Sequence, residues 1–430
     1  MKALTNACIF DFQNFKENSY VLFDSEIKEV GSMDDFPGAD EIYDCSGTIV
    51  MPGLINCHTH IYSTFARGMN VPFDPKDFQD ILDQLWWKLD GQLDKKAVYY
   101  SGLVYGCECI KNGVTSIIDH HASGLDIKGT LNELKKSICD DLGMRGIFCF
   151  ETSDRFNIKE CIEENLDFAK NKSEQFAGLF GMHASMSLSD DTLKEISSVI
   201  GDTPIHIHVA ESKDDVKDCC EKYDTSIVKR LNDFGLLNDR SILAHCVHIS
   251  QEDVEIIGQK GCRIAMNPTS NMNNAVGLAD YEILRNFKIP CMVGNDGLGV
   301  NITRDYLNIV FSMKNRLNGP TKFNLDDLTK MINNGYEYIN NMLNINIGRI
   351  KKGYKADMIT IPYNPPTPLN KDNILGHVFF GIFDNFQPRD TWCSGKCMMK
   401  DSKLNVDVES VYSEAREESD KVWKRINAIK

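Results

Sequence analysis

The chain has no apolar run long enough to span a bilayer and no basic segment leading into one. Neither a membrane anchor nor a secretory leader is therefore expected. A surplus of positive charge is missing as well: 47 Lys and Arg stand against 62 Asp and Glu, a formal net charge of −15. Nucleic acids and anionic membranes are bound through basic patches, so this balance argues against both as main partners. No C-x-x-C pair occurs among the fifteen cysteines. They are odd in number, scattered, and mostly set in apolar runs such as residues 146–150. They read as reduced, buried thiols of a cytoplasmic protein. Low-complexity tracts and linkers are absent, so the domains are expected to be tightly docked.

What is present is ordinary soluble composition, with 42% hydrophobic and 25% charged residues, over a length of 430 residues that fits roughly two to three domain equivalents of about 150 residues. Residues 1–50 hold short strand-like runs, too few to close a stable sheet alone. Similar runs at 356–362 and 391–399 supply the partners. The expectation is a small composite β-sandwich built from residues 1–50 and 349–405. Between them, over residues 51–348, apolar strand-like runs alternate with amphipathic helical stretches. Eight such runs are expected as strands: 53–58, 115–119, 145–150, 178–183, 204–209, 241–246, 262–266 and 291–296. Eight repeats imply the α/β class and a (β/α)8 TIM-like barrel. Residues 406–430 carry apolar positions at helical spacing and are expected to be a packing helix.

In such a barrel, chemistry gathers at the C-terminal ends of the strands. His58 and His60 end the first strand, in Met51-Pro-Gly-Leu-Ile-Asn-Cys-His-Thr-His60. Residues two apart on a strand face one side, so these two imidazoles are placed to grip one metal ion. Asp119, His120 and His121 end the second strand, Glu151 the third, His183 the fourth, His208 the fifth, His245 the sixth and Asp296 the eighth. Of the ten histidines, only His377 lies away from these ends.

This set, with His206-Ile-His-Val-Ala-Glu211, Asn267-Pro-Thr-Ser-Asn271, Gly294-Asn-Asp-Gly297 and Gly353-Tyr-Lys-Ala-Asp357, resembles the amidohydrolase superfamily over nearly the whole chain. Within it, the chain is similar to the aminohydrolase branch that deaminates nucleobases and related heterocycles. Asp119-His-His-Ala-Ser123, Glu151-Thr-Ser-Asp-Arg155 and Asn271-Met-Asn-Asn-Ala-Val-Gly277 resemble the SsnA group of that branch. One departure is visible: Gly124 stands where that group's pattern leads one to expect proline.

The resemblance implies that His58, His60, His208 and Asp296 bind one divalent metal. Three imidazoles and a carboxylate suit Zn²⁺, with Fe²⁺ open for the same ligands. Zn²⁺ lowers the pKa of bound water to about 7, supplying hydroxide at neutral pH. Glu211 would move the protons, His245 would polarise the attacked group or hold the hydroxide, and Asp296 would aim it. His183 is open between a substrate contact and a structural hydrogen bond, and His206 reads as structural. Arg67, Asp90, Trp86 and Arg155 are candidate substrate contacts. Of His120 and His121, alternation lets only one face the barrel, with His121 the candidate contact. The expected activity is release of ammonia from an amino-substituted heterocycle of purine, pterin or triazine type. Loss of chloride or an alkylamine from the same rings is the alternative, and a catalytically silent binding or scaffold protein the alternative from another class. The resemblance also implies a homodimer.

Overall fold

Strand Thr48–Pro52 runs into strand Leu54–Thr59 with only Gly53 between them, and the two belong to different sheets. A side chain at Gly53 has no room, because its Cβ would lie 2.3 Å from the Thr115 side chain. The computed structural model describes residues 1–428.

On one side of this junction, strands from both ends of the chain form a single nine-stranded sheet. Thr48–Pro52 pairs antiparallel with Met358–Pro362 and parallel with Lys2–Phe10. Asp390–Cys393, Lys396–Lys400 and Lys403–Leu404 continue one edge, and Phe15–Phe23 and Ile27–Ser32 the other. The composite origin matches the expectation. Phe23 and Trp392, from strands far apart in the order, bring their ring centres to 6.4 Å, so the sheet folds back over itself while its pairing stays continuous. The reason is the length of Lys2–Phe10, which pairs with Glu41–Asp44 at its start and Thr48–Pro52 at its end along the same edge. The order thus runs through without splitting.

On the other side, parallel strands form two sheets. Leu54–Thr59, Val114–His121, Arg145–Phe150 and Phe176–Gly178 make one; Phe180–Ala184, Ile205–Val209, Ile242–His245, Arg263–Met266 and Cys291–Val293 make the other. All eight expected runs are strands, but the fourth breaks at Leu179, one half pairing with each sheet. No continuous ladder closes a ring among the described residues. Backbone hydrogen bonds cross both seams instead. Thr152 donates to the Gly181 carbonyl at 3.0 Å and His183 to that of Thr152 at 3.0 Å, while Asn295 and Asp296 donate to the His58 carbonyl at 3.1 and 3.0 Å.

Helices on the outside begin at polar caps that satisfy their free N–H groups, such as Asp94 before Lys95–Lys111 and the capping box at Ser250 before Gln251–Lys260. The last helix, Val408–Ala428, packs on Lys95–Lys111, and its Trp423 indole donates to the Phe65 carbonyl at 2.8 Å. Residues 429–430 of the expected helix lie outside the described residues. No cysteine is paired among the described residues, and most are buried. No described helix is long and apolar enough to cross a membrane.

Candidate active site

Five side chains converge where the parallel strands end. His58 comes from Leu54–Thr59 and His60 from the residue directly after it, His208 from Ile205–Val209, His245 from Ile242–His245, and Asp296 from the turn after Cys291–Val293. The chain leaves two of these strands through left-handed backbone at non-glycine residues, with φ of 69° at His245 and 59° at Asp296. Ala210, just past His208, has φ 48°. Such conformations are costly for residues with a Cβ and persist only where the surroundings enforce them, which is common at functional sites.

Each imidazole arrives oriented. The Nδ1 of His60 lies 2.7 Å from the His120 carbonyl, and that of His208 lies 2.9 Å from the His183 carbonyl. A carbonyl only accepts, so both Nδ1 atoms carry the hydrogen and both Nε2 atoms present lone pairs. His58 Nδ1 meets His206 Nε2 at 2.9 Å, and His245 Nδ1 meets Asn271 Oδ1 at 2.7 Å. The outcome is a knot of acceptors. His60 Nε2 sits 3.2 Å from His208 Nε2 and 3.0 Å from Asp296 Oδ1, while His58 Nε2 is buried without a hydrogen-bond partner, 3.6 Å from the same carboxylate oxygen. Lone pairs that close repel unless a cation lies between them.

That cation is either a proton or a metal ion. Burial by itself depresses His60, yet the neighbouring Asp296 carries it up to about 9. Burial drives His58 down to about 4 and His208 well below the usual imidazole range. Asp296, pushed up by burial, is nonetheless held well below the ordinary carboxylate range by His58 and His60. Two overlapping groups have the spacing of metal ligands: His58, His208, His245 and Asp296, and His60, His120 and His208. A divalent ion fits this donor set, and the expected ligands His58, His60, His208 and Asp296 span both groups.

Glu211 stands beside the cluster with its Oε2 3.5 Å from His245 Nε2. Burial raises its carboxyl, against the pull of His245. Over these groups opens a pocket whose walls include His183, Trp86, Trp87 and Asp90. Arg155 braces that wall. Its guanidinium donates to both Asp90 oxygens at 3.1 and 2.9 Å and to Glu151 Oε1 at 2.9 Å, and it lies 4.6 Å from the ring centres of Trp87 and Phe156. Burial raises the Asp90 carboxyl, whereas Glu151 is held low by His183 and Arg155 despite its own burial.

Two expected contacts lie elsewhere. Arg67 is on the surface, bidentate to Glu108 at 2.7 and 2.9 Å, because the turn after the first strand leads it outward. His121 is fully buried and bonded to Ser123 Oγ at 3.0 Å. Its neighbour His120 faces the cluster instead: Nε2 reaches the carbonyls of Met182 and His206 at 3.0 and 3.2 Å, leaving Nδ1 3.7 Å from Glu151 Oε2.

Some participants had no expected role. In and just after helix Pro268–Asn273, Ser270 donates to Asp296 Oδ2 at 2.5 Å, Asn271 fixes His245, and Asn274 donates to Glu211 Oε1 at 3.4 Å. The motifs Asn267-Pro-Thr-Ser-Asn271 and Asn271-Met-Asn-Asn-Ala-Val-Gly277 were the signal for them. Asp215 also lines the pocket, accepting from the Met186 and Ala210 N–H groups at 3.2 and 3.1 Å, and no motif marked it.

The amidohydrolase family profile matches residues 49–398. The 5'-deoxyadenosine deaminase of Methanocaldococcus jannaschii is 30% identical over 425 residues, covering 94% of this chain and 97% of that protein. The 5-methylthioadenosine/S-adenosylhomocysteine deaminase of Desulfitobacterium hafniense is 28% identical, covering 93% of this chain and 91% of its own length. Among solved structures, a zinc-bound adenosine deaminase from Xanthomonas campestris superposes with a TM-score of 0.86 at 18% identity, covering 98% of each chain. The guanine deaminase of E. coli superposes with a TM-score of 0.78 at 16% identity, covering 93% of this chain and all of that one. With a profile spanning most of its length and a relative at 30% identity end to end, this chain belongs to the amidohydrolase family.

Proposed function

We propose that this chain hydrolyses the exocyclic C–N bond of an amino-substituted nitrogen heterocycle, giving a ring carbonyl and ammonia. The observation that carries this reading is the knot of facing imidazole and carboxylate lone pairs with Glu211 beside it at the floor of a pocket. The named activities of the relatives, deamination of 5'-deoxyadenosine and of 5-methylthioadenosine or S-adenosylhomocysteine, support it. The two parallel sheets act as one eight-stranded barrel whose rim carries these groups, and two such chains pair as a dimer.

His58, His60, His208 and Asp296 would hold the metal, with Zn²⁺ the ion that best suits three imidazoles and a carboxylate. When bound there, the ion supplies Lewis acidity that brings the pKa of water down to about 7. Glu211 takes one proton from the attacking water and delivers it to a ring nitrogen; the oxygen bonds to the ring carbon, the C–N bond breaks, and the second proton leaves with the amine as ammonia. Asp296 fixes the direction of attack, its other oxygen restrained by Ser270. His245, with Nδ1 committed to Asn271, keeps Nε2 toward Glu211 and Asp296 at 3.5 and 3.8 Å and holds the water between them.

The test is ammonia release by metal-loaded protein on purines, pterins, pyrimidines and triazines, with Glu211→Gln as the blank. The expected result is ammonia from at least one ring, falling by about 100-fold or more in the variant. Metal bound without ammonia release would move the leaving group to chloride or an alkylamine. A folded chain that takes up no metal would leave only the binding or scaffold reading.

A further inference from the structure

We infer that Asp215 is a positioning residue for Glu211: its buried carboxyl group ties together the two turns that decide where the proton-carrying Glu211 stands. This inference rests on the deaminase reading and adds to it a residue that reaches the reaction only through Glu211.

Ser212-Lys-Asp-Asp215 has the spacing of a capping box, in which the acidic side chain turns back to the backbone N–H of the cap residue. Two helices of this chain are built that way: Asp253 returns to Ser250, and Asp327 to Asn324. Asp215 goes elsewhere. Its own N–H donates to Ser212 Oγ at 3.2 Å, so helix Lys213–Tyr223 keeps its cap, but the carboxyl group reaches past that cap. One oxygen accepts from the Ala210 N–H at 3.1 Å, and the other from the Met186 N–H at 3.2 Å. Asp215 is buried, so both bonds lie away from water, where a backbone N–H left without a partner is costly.

Both bonds fall where they govern Glu211. Ala210 is the left-handed residue directly before it, with φ 48°. The Ala210 carbonyl accepts from the His248 N–H at 3.0 Å. With its N–H held by Asp215, this turn is pinned on both backbone groups, which is how a conformation costly for alanine persists. Met186 lies in the turn Ser185–Ser187 after strand Phe180–Ala184, and it lines the pocket together with Asp215 and Glu211. One carboxyl group therefore joins the exit of Phe180–Ala184 to the exit of Ile205–Val209. Glu211 stands at the end of that bracket, its Oε2 3.5 Å from His245 Nε2 and its Oε1 3.4 Å from Asn274 Nδ2. Misplacing a reacting group by about 1 Å can cost about 100-fold in rate. Releasing the turn would do that without removing any group from the site.

The experiment is a double-mutant cycle of Asp215→Ala with Glu211→Gln on metal-loaded protein, using whichever purine, pterin, pyrimidine or triazine releases ammonia fastest. Alone, Asp215→Ala is expected to lower kcat by about 10–100-fold, with KM and metal content changed by less than about twofold. In the Glu211→Gln background it is expected to change kcat by less than about twofold, because the group it aims is gone. Asp215→Asn keeps one acceptor oxygen and is expected to fall between wild type and Asp215→Ala; it serves for the cycle where the alanine variant does not fold. An equal loss in both backgrounds, the mark of a merely structural role or of a direct substrate contact, overturns the inference. So does an unchanged kcat. Amide exchange reads the bracket without turnover: Ala210 and Met186 are expected to exchange about tenfold faster in Asp215→Ala, while Cys246, whose N–H reaches the Val209 carbonyl, keeps its protection. Unchanged exchange at both residues overturns the inference. Metal-loaded wild type that releases no ammonia refutes the deaminase reading by itself. The cycle then runs on chloride- or alkylamine-substituted triazines, and the exchange rates still decide the role of Asp215.

Discussion

Side chains in this site are aimed by what stands behind them. His60 and His208 lean on backbone carbonyls, but His245 leans on Asn271, a side chain that can be removed. Asn271→Ala should lower kcat by about 10–100-fold with metal content nearly intact, checked by kinetics beside metal analysis. Asp215 gives a pH signature. Burial lifts its carboxyl to about 7, against about 3.9 in an unfolded chain. Between those values the folded protein keeps a proton that the unfolded chain has lost. This contribution to stability is therefore full below about pH 4, declines as pH rises, and levels off above about 7. Asp215→Asn should flatten urea midpoints measured across that range, by up to about 1.4 kcal/mol per pH unit. At this scale the sequence disclosed the converging cluster well, since period-two spacing at strand ends fixes His58 with His60. It misled for His121, because which of two adjacent histidines faces inward depends on how the strand leaves its sheet. Arg67 was equally unreadable: its partner Glu108 sits on a separate helix, 41 positions away.

Elements place the pocket wall. Gly124, where proline was expected, donates its N–H to the Asp90 carbonyl at 2.8 Å, and a Cβ there would come within 2.8 Å of the Gly91 Cα. Proline has neither that N–H nor that slimness. Gly124→Ala should push the Asp90 turn outward and raise KM several-fold while kcat and metal content change little, read from steady-state kinetics on the best substrate. Alternating apolar and amphipathic runs made the eight strands legible. The break at Leu179 was not, because residues 178–183 read as one stretch and the change of partner is decided only by the neighbouring strands.

Across the whole molecule, the parallel strands and the terminal sheet are joined by a buried ion pair. Arg145, starting the third core strand, donates to Asp357 at 2.8 and 3.0 Å and to Ser394 Oγ at 2.6 Å. Both partners are almost fully buried. Arg145→Ala leaves the carboxylate without its partner and should cost about 3–5 kcal/mol, measured as a lowered denaturation midpoint. The motif ending in Asp357 announced the chain's return to the β domain, but its partner stands 212 residues earlier, beyond the reach of any local pattern. The one-residue joint at Gly53 reaches further. Because the strand that bears His58 and leads into His60 continues directly from one paired on both edges within the terminal sheet, that sheet is no detachable module. A truncation that begins at the barrel would strip Met358–Pro362 of its neighbour and unseat the first two histidines together, so dissecting this enzyme into a catalytic half and an accessory half would yield neither.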